Sequence, residues 1–381
     1  MEGKRRTILK RFHKDVATLK AHQWKHFFDL YRGCSHNCVY CLYRQNENFG
    51  KCIPIPGVTA DQLAVELDNV KPAGITYLGA TSDIYQPIEK ELQLVRPILE
   101  VFCKKRLPII LATKSLLIRR DIDLLSRLAT DGLIEISITM ITLDENFAKL
   151  LEPGAPSPSE RLELTRELTS SGIPVSFHVS PLIPGYFSDA ALCEFGSALY
   201  ETKAIGAYSC ILGMRKAYKD TLIKKIGTFN QTLAGYLVEI YNEPKTPQAV
   251  SPLARVVSAE MERFSQTCRL CGFEFYCEHL PHLDTNTRTG GIFQFKLPTV
   301  GDIYRHFIEH GKQEVRLCDL EDYLVGFPAV DEAYRSLVVD LWQAGTLFQD
   351  TRFAAVGIKP CEQYILTDSV QLAVSEVMTC D

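Results

Sequence analysis

Short apolar runs alternate with longer segments of helical periodicity over much of this 381-residue sequence. Strands repeat every two residues and helices about every 3.6, so this alternation predicts βαβ units around a parallel sheet. Six such units predict an α/β fold, a partial (β/α)6 TIM barrel with a smaller C-terminal domain, whose reactive groups lie where the strands end. An extended stretch before residue 34 is the first strand. The others are 74–79, 108–114, 134–142, 174–180 and 207–212, and the helices are 58–70, 87–105, 119–130, 157–171 and 190–202.

The composition is that of an ordinary soluble protein, with 46% hydrophobic and 23% charged residues. No apolar run approaches the roughly 18 residues that a membrane span needs. The first six residues are not followed by an apolar signal-peptide core, so we expect a cytoplasmic protein with no membrane partner. In such a protein, thirteen cysteines favour metal sites over disulfides.

The charges are unevenly distributed. The net charge is −4, yet residues 1–26 hold eight Lys or Arg against Glu2 and Asp15. Such a basic arm could contact the phosphates of a nucleic acid or nucleotide, and the alternative is a solvated extension. The rest of the chain is acidic, which disfavours a large nucleic-acid surface.

Changes in composition also suggest domain boundaries. The Pro-rich stretch 242–247 ends the alternating pattern. Helices near 300–310 and 331–344, then a hairpin over 347–356, predict a winged-helix-like module, with a small α/β cap as the alternative. The expected segments are a basic arm over 1–26, a barrel over 27–240, a linker with a cysteine motif over 241–298 and a small domain over 299–381.

Cys34, Cys38 and Cys41 form a C-x3-C-x2-C cluster in a predicted turn. Three adjacent thiols cannot all pair with one another, and soft thiolates select zinc, Cu(I) or an iron–sulfur cluster. A zinc knuckle or scattered core cysteines are the alternatives. The stretch closely resembles the cluster-binding loop of radical S-adenosylmethionine (SAM) enzymes. That resemblance implies a 4Fe–4S cluster whose open iron binds SAM, and cleavage of SAM to a 5′-deoxyadenosyl radical.

Later stretches resemble the spore photoproduct lyase-like branch of that family; they are 79–87, 113–115 and 135–138. In spore photoproduct lyase, a cysteine before the Thr-Ser-Asp returns a hydrogen atom to the repaired thymine. Ala80 occupies that position here and has no transferable hydrogen, which puts DNA repair in doubt. Cys52 or Cys103 could substitute only if the fold brought one of them into the barrel mouth.

The same resemblance implies a set of SAM contacts, which are Tyr40, Ser82, Lys114 and Ser137. Lys114 suits the carboxylate of SAM, the two serines suit its ribose hydroxyls, and Tyr40 is expected to pack beside the adenine. Glu152 and Arg161 are further candidates, and a surface ion pair is the alternative for them.

A second cysteine set, Cys268, Cys271 and Cys277, has the C-x2-C-x5-C spacing of a zinc or iron–sulfur site. It partly resembles the auxiliary-cluster pattern of the SPASM and twitch extensions of radical SAM enzymes. We therefore predict an auxiliary 4Fe–4S cluster, with structural zinc or core cysteines as alternatives. A fourth ligand could be absent or could be Cys318, Cys361, Cys380 or a histidine such as His279 or His282.

Three remaining residues deserve a prediction each. Cys193 and Cys210 fall on apolar elements and are expected in the core. His178 lies on a predicted strand, where it could point into the barrel as a substrate contact or be a core histidine.

These features predict a radical SAM enzyme that acts on a small, nucleotide-like molecule and uses the auxiliary cluster for sulfur insertion or oxidation. Its partners would be that substrate and an external electron donor such as flavodoxin or ferredoxin. A lyase-like DNA repair enzyme is one alternative. A non-catalytic iron–sulfur protein that binds nucleic acid is another.

Overall fold

The computed structural model describes residues 7–12, 23–71, 73–241, 243–244, 248–277, 291–312, 314–348, 355–359 and 363–366. The strands in chain order are β1 (Lys10–Arg11), β2 (His26–Phe28), β3 (Tyr31–Arg32), β4 (Ile53–Pro54), β5 (Thr76–Leu78), β6 (Ile109–Thr113), β7 (Ile134–Thr139), β8 (Val175–Leu182), β9 (Gly206–Ile211), β10 (Met214–Arg215), β11 (Glu243–Pro244), β12 (Ala249–Ser251), β13 (Glu274–Tyr276), β14 (Glu314–Arg316), β15 (Ala355–Lys359) and β16 (Gln363–Leu366).

The α-helices are α1 (Ala60–Asp68), α2 (Glu89–Leu92), α3 (Val95–Lys105), α4 (Ile122–Thr130), α5 (Glu145–Leu151), α6 (Pro158–Ser170), α7 (Asp189–Tyr200), α8 (Lys219–Gly227), α9 (Gln231–Ile240), α10 (Ala254–Leu270), α11 (Val300–Glu309), α12 (Leu317–Val325) and α13 (Glu332–Gln343). Two 3-10 helices span Leu116–Asp121 and Gly291–Phe295. None of these described helices is long and apolar enough to cross a membrane.

The main sheet has eight strands in the order β1-β2-β5-β6-β7-β8-β9-β13. Neighbours from β2 to β13 pair in parallel, and β1 pairs antiparallel with β2. Every residue of β6 and β7 is buried, as expected for parallel strands covered on both faces. The sheet is an open, partial barrel, so the predicted fold class is confirmed.

Two details of the sequence prediction are wrong. The sheet has seven parallel strands instead of six, because β13 adds to the edge of β9. β13 has only three residues, which is too short for an alternating pattern to be recognised. The helix predicted over 87–105 is two helices, since Gln93 adopts a left-handed conformation with φ of 50° and ends α2.

Other boundaries follow from local capping. The Ser157 side chain accepts a hydrogen bond from the Glu160 backbone, and the Glu160 side chain accepts one from the Ser157 backbone. With Pro158 in the first turn, this capping box starts α6 where the sequence predicted a helix.

The main hydrophobic core lies between the sheet and its helices. A smaller cluster joins Ile75 and Ile110 of the sheet to Ile292 and Phe293 of the second 3-10 helix.

The C-terminal region has its own hydrophobic core. Its elements occur in the order α11, β14, α12, α13, β15, β16, and its antiparallel sheet has the order β14-β16-β15. The hairpin lies further along the chain than the predicted 347–356, because Leu347 and Phe348 are buried in that core. The element order is compatible with the winged-helix-like module, which stays a prediction.

The end of the predicted basic arm is built into the fold. Arg11 lies 2.6 Å from the Asp331 carboxylate, and the buried Lys25 ammonium lies 2.9 Å from it. Lys25 also donates to the Ala329 carbonyl oxygen. These two positive charges therefore form ion pairs within the protein. Residues 1–6 and 13–22 of the arm lie outside the described residues.

Candidate active site

The three cysteines of the first motif lie in a loop of turns that follows β3. Gly33 precedes the first of them with φ of 72°, and a Cβ at this position would collide with the Asn48 carbonyl oxygen. Glycine is therefore the residue that this approach permits. Asn37, between the first two cysteines, has φ of 53° and lets the loop turn back sharply.

The connection between α5 and α6 holds this loop in place. The Val39 backbone N–H donates to the Leu151 carbonyl oxygen at 2.8 Å, and the Gly154 N–H donates to the His36 carbonyl oxygen at 3.0 Å. A side chain at residue 154 would collide with the Ser35 backbone. The connection between α5 and α6 therefore braces the cysteine loop.

The thiols themselves fit a metal-ligand role. Burial raises the pKa of Cys34 and Cys41, and it raises the pKa of Cys38 to about 12. The positive charge of Lys114 opposes this rise at all three. Because metal binding replaces the thiol protons and leaves anionic ligands, a nearby ammonium suits a thiolate-bound cluster.

Glu152 lies next to this loop and is completely buried. Its carboxylate accepts a hydrogen bond from Arg161 at 2.6 Å and from the Tyr40 hydroxyl, and it lies 3.8 Å from the Lys114 ammonium. Burial favours a raised pKa for Glu152, but the charges of Arg161 and Lys114 prevail and hold it below the usual value. Arg161 is equally buried and also donates to the Thr139 carbonyl oxygen. The alternative of a surface ion pair is therefore wrong.

The residues expected to bind SAM line one cavity of about 580 Å³ with the cysteine loop; they are Tyr40, Ser82, Lys114 and Ser137. Ser82 donates to the Gly33 carbonyl oxygen at 2.7 Å and accepts from the Gln86 side chain at 2.8 Å. It therefore braces the cysteine loop. Lys114 follows β6, and Ser137 lies on β7, so the sheet brings both to the central cavity.

Sequence reasoning missed Asp83, which organises this edge of the sheet. Its carboxylate accepts hydrogen bonds from the Thr113 hydroxyl and the Lys114 backbone N–H, both at 2.8 Å. It also lies 3.4 Å from Nδ1 of His36 in the cysteine loop. Asp83 thereby connects the loop to the residue expected to bind SAM. Its place directly after Ser82 in the quoted motif was the available signal.

The walls of the central cavity are rich in aromatic residues. The lining includes Phe12, Trp24, Tyr77, Tyr208, Tyr276 and Phe293. His178 also lines the cavity, which is compatible with the predicted substrate contact, and that contact stays a prediction. Polar groups on the same walls include the Glu135 carboxylate and the Ser176 hydroxyl. This mixture of flat rings and a few polar groups is typical of a small-molecule site.

Two cysteines lie elsewhere than predicted. Cys193 is exposed on α7. Cys210 lines the central cavity, where its thiol lies 2.9 Å from the Tyr208 hydroxyl. Both were expected in the core, but a strand has two faces, and Cys210 is on the face of β9 that meets the cavity. Cys52 and Cys103 are not among the described residues that line this cavity.

The second cysteine set is divided by β13. Cys268 is buried near the end of α10, and Cys271 caps that helix with its thiol 3.9 Å from the Ser197 hydroxyl. Cys277 is buried beyond the other end of β13, in the core between sheet and helices. Among the described residues, none of the three lines the central cavity. His279, His282, Cys361 and Cys380 lie outside the described residues, and Cys318 is exposed.

Within the described ranges, no group of three His, Cys, Asp or Glu side chains is close enough to hold a metal ion. This applies to both cysteine sets. Cys34, Cys38 and Cys41 therefore stay predicted cluster ligands, on their spacing and their shared cavity, and the auxiliary cluster stays a prediction.

Comparison with known proteins agrees with this site. Residues 29–191, which include the cysteine loop and the residues expected to bind SAM, match the model of the Radical SAM superfamily. The chain contains a radical SAM domain. Proteins of this superfamily use SAM and a 4Fe–4S cluster, and the thiol set, the braced loop and the shared cavity fit both groups.

Two relatives that match part of this chain carry the description uncharacterized protein. One from Methanocaldococcus jannaschii is 33% identical over 163 residues, which are 42% of this chain and 61% of the relative. One from Mycobacterium tuberculosis is 28% identical over 166 residues, covering 40% and 48%. The matched stretches span about half to three fifths of these two proteins.

Solved structures resemble about seven tenths of this chain. A spore photoproduct lyase variant with bound AdoMet and dinucleoside spore photoproduct has a TM-score of 0.55 at 14% identity, over 68% of this chain and 79% of the other. A second lyase variant has a TM-score of 0.54 at 12% identity, over 73% and 88%. At this identity the likeness shows the fold, so the radical SAM domain is an open barrel of the lyase type.

Proposed function

We propose that this protein reductively cleaves SAM and abstracts a hydrogen atom from a small, planar, nucleotide-like molecule in the central cavity. One observation carries the proposal: the cysteine loop, the residues expected to hold SAM and the aromatic walls all line the same 580 Å³ cavity. When bound, the cluster and SAM supply an electron and a 5′-deoxyadenosyl radical, which is the chemistry of this superfamily.

The chain's own residues bind and orient these groups. Cys34, Cys38 and Cys41 would hold the cluster, and the Lys114 ammonium would pair with the carboxylate of SAM. The Tyr40 ring, fixed through its hydroxyl by Glu152, would pack beside the adenine. A charged network that is already in place before ligands bind needs little reorganisation.

The electron would come from a separate protein, of the flavodoxin or ferredoxin class. Cys34 and Cys41 line the central cavity and also a smaller one of about 310 Å³, whose walls include Lys10, Arg32 and Tyr43. A cluster on these cysteines would therefore border both cavities. An electron donor can approach through one while substrate occupies the other.

Sulfur insertion is the less supported part of the prediction. It requires an auxiliary cluster that contacts the substrate, but Cys268, Cys271 and Cys277 lie outside the cavity lining among the described residues. DNA binding by the basic arm is also less supported, since Arg11 and Lys25 of that arm form ion pairs with Asp331. We therefore favour hydrogen abstraction from a small molecule.

The decisive experiment is anaerobic reconstitution with iron and sulfide, followed by reduction with dithionite in the presence of SAM. We expect the protein to bind a cluster visible by EPR and to form 5′-deoxyadenosine. The combined change Cys34→Ala, Cys38→Ala and Cys41→Ala should remove that cluster and abolish the product, because all three thiolates hold the iron.

A control replaces Cys193, an exposed cysteine on α7, by Ala and should leave iron content and product unchanged. Full 5′-deoxyadenosine formation by the triple variant would overturn the proposed function.

A further inference from the structure

Gln86 is a completely buried side chain that binds the cysteine loop on both sides of its first cysteine. Its amide oxygen accepts a hydrogen bond from the Ser35 backbone N–H at 2.6 Å. Its amide nitrogen donates to the Gly33 carbonyl oxygen at 3.0 Å and to the Ser82 hydroxyl at 2.8 Å. Gly33 and Ser35 are the neighbours of Cys34 in the sequence. One side chain therefore holds the backbone that enters and leaves this cysteine.

The directions of these hydrogen bonds require an amide at this position. The Ser82 hydroxyl donates its hydrogen to the Gly33 carbonyl oxygen at 2.7 Å, so towards Gln86 it acts as an acceptor. A glutamine amide offers an acceptor and donors at the end of one side chain, and both kinds of group are used here. A carboxylate only accepts, and an apolar side chain does neither. Replacing Gln86 therefore leaves groups of the loop without their partners.

The backbone around Gln86 is itself anchored. The preceding residue, Tyr85, is completely buried. Its backbone N–H donates to the Asp83 carboxylate at 2.8 Å, and its hydroxyl donates to the Asp121 carboxylate at 2.9 Å. The Gln86 carbonyl oxygen accepts from the Glu89 backbone N–H at 2.8 Å, where α2 begins. Because these contacts fix residue 86, its amide holds the cysteine loop in place instead of moving with it.

The segment that carries Gln86 also reaches the Cys34 sulfur. Burial and the Asp83 carboxylate raise the pKa of Cys34, whereas hydrogen bonds from the backbone N–H groups of Asp83 and His36 oppose this rise. Such N–H groups favour a negatively charged sulfur. Their distance from the sulfur depends on the position of the backbone on either side of Cys34, which Gln86 fixes.

We propose that Gln86 is a positioning residue for the cluster, which keeps backbone N–H groups directed at the Cys34 sulfur and thereby sets the reduction potential. This rests on the proposed function, which assigns a cluster to Cys34, Cys38 and Cys41. Hydrogen bonds to the sulfurs are among the factors that set the potential of an iron–sulfur cluster. They stabilise the reduced form, which carries more negative charge, so their loss makes reduction harder.

The first test measures the midpoint potential of the reconstituted protein by EPR during a redox titration. Gln86→Met keeps the length of the side chain and removes its hydrogen bonds, so the potential should become more negative. Gln86→Glu keeps the bond from Ser35 but, as a carboxylate, cannot donate to Gly33, and the potential should become more negative as well. Gln266→Met, at an exposed glutamine on α10, is the matched control and should leave the potential unchanged.

A potential in the folded Gln86 variants that equals or exceeds that of the unmodified protein would overturn this assignment and leave the proposed function standing. A variant that unfolds at lower urea concentration with its potential unchanged would likewise overturn it, because the role of Gln86 would then be structural only. If Gln86→Met does not fold, Gln86→Glu decides. If the unmodified protein binds no cluster and forms no 5′-deoxyadenosine, the proposed function and this assignment both fail.

The second test needs no cluster. In the metal-free protein, alkylation of each cysteine by iodoacetamide is followed by mass spectrometry. Without the hydrogen bonds of Gln86, the backbone around Cys34 should open more often, so alkylation of Cys34 should be about tenfold faster in Gln86→Met. The rate at Cys193, an exposed cysteine on α7, should not change. Equal rates at Cys34 in the unmodified protein and the variant would overturn the proposal.

Discussion

At the scale of the residue, the carboxylate of Glu152 links the cluster loop to the expected SAM site. The Arg161 guanidinium lies 2.6 Å from this carboxylate, whereas the Lys114 ammonium lies 3.8 Å from it. Burial alone lowers the pKa of Lys114, but the charges of Cys38 and Glu152 outweigh it and keep that pKa above its usual value. Lys114 therefore stays charged near neutral pH and is only loosely neutralised, which suits it to bind an incoming carboxylate.

We expect Lys114→Ala to weaken SAM binding while iron content stays the same. A hydrogen bond to a charged group contributes about 1.5–3 kcal/mol, which corresponds to about tenfold to a hundredfold in Kd. Equilibrium dialysis of the reconstituted protein with labelled SAM measures this. Lys104→Ala, an exposed lysine on α3, is the control. An unchanged Kd for the Lys114 variant would show that SAM binds elsewhere.

At the scale of the element, β13 explains both a success and a failure of sequence reasoning. β6 was predictable because it is a short apolar run, and β7 was predictable because isoleucines alternate with polar residues along it. β13 has only three residues, and its pairing with β9 joins segments far apart in the sequence, so it could not be predicted from a local sequence pattern. The same holds for Cys210, whose strand was predicted but whose face was not.

β13 also bears on the second cysteine set. Because the strand separates Cys271 from Cys277, and because Cys268 and Cys277 pack in the core, we expect replacement of all three by Ala to leave the iron content unchanged. The loss of buried side-chain volume should instead lower the free energy of unfolding, by about 1–3 kcal/mol in total. Iron analysis and urea unfolding of the reconstituted variant measure both quantities.

The auxiliary-cluster prediction requires the opposite result. If the variant loses one cluster's worth of iron while it still forms 5′-deoxyadenosine, the three cysteines bind a cluster and sulfur insertion becomes the better hypothesis. Loss of zinc would instead establish a structural metal site.

At the scale of the whole molecule, Asp331 joins the beginning of the described chain to the C-terminal region. Its carboxylate faces Arg11 and Lys25, and it also caps α13 by accepting from the Tyr334 backbone N–H. Burial favours a raised pKa for Asp331, but hydrogen bonds from Arg11 and Lys25 outweigh it and depress the pKa well below its usual range. The carboxylate therefore stays charged in the folded protein down to strongly acidic pH.

We expect Asp331→Asn to lower the free energy of unfolding by about 1.5–3 kcal/mol, because it removes charged hydrogen bonds and leaves Lys25 buried without its counter-charge. Asparagine retains the helix cap, so the change isolates the charge. Since the folded-state pKa is depressed, this contribution is present above the unfolded-state pKa of about 4 and fades as the pH falls through the lower folded-state value.

Urea unfolding of both proteins at pH 7 and at progressively lower pH measures the difference. The difference between their free energies of unfolding should be largest at pH 7 and should decrease in acid. A constant gap across this range would mean that the Asp331 charge is not what stabilises the contact. Asp68→Asn, at an exposed carboxylate on α1, is the matched control.

The position of Asp331 in the sequence determines when its contact with Arg11 and Lys25 can form during synthesis on the ribosome. Phe12 and Trp24, next to Arg11 and Lys25, form part of the cavity wall. Asp331, whose carboxylate holds Arg11 and Lys25 in place, is translated more than three hundred residues later. Chains emerge from the N-terminus first. This part of the cavity wall is therefore secured only after residue 331 has been made, so a chain truncated before that residue would lack the contact that holds Arg11 and Lys25.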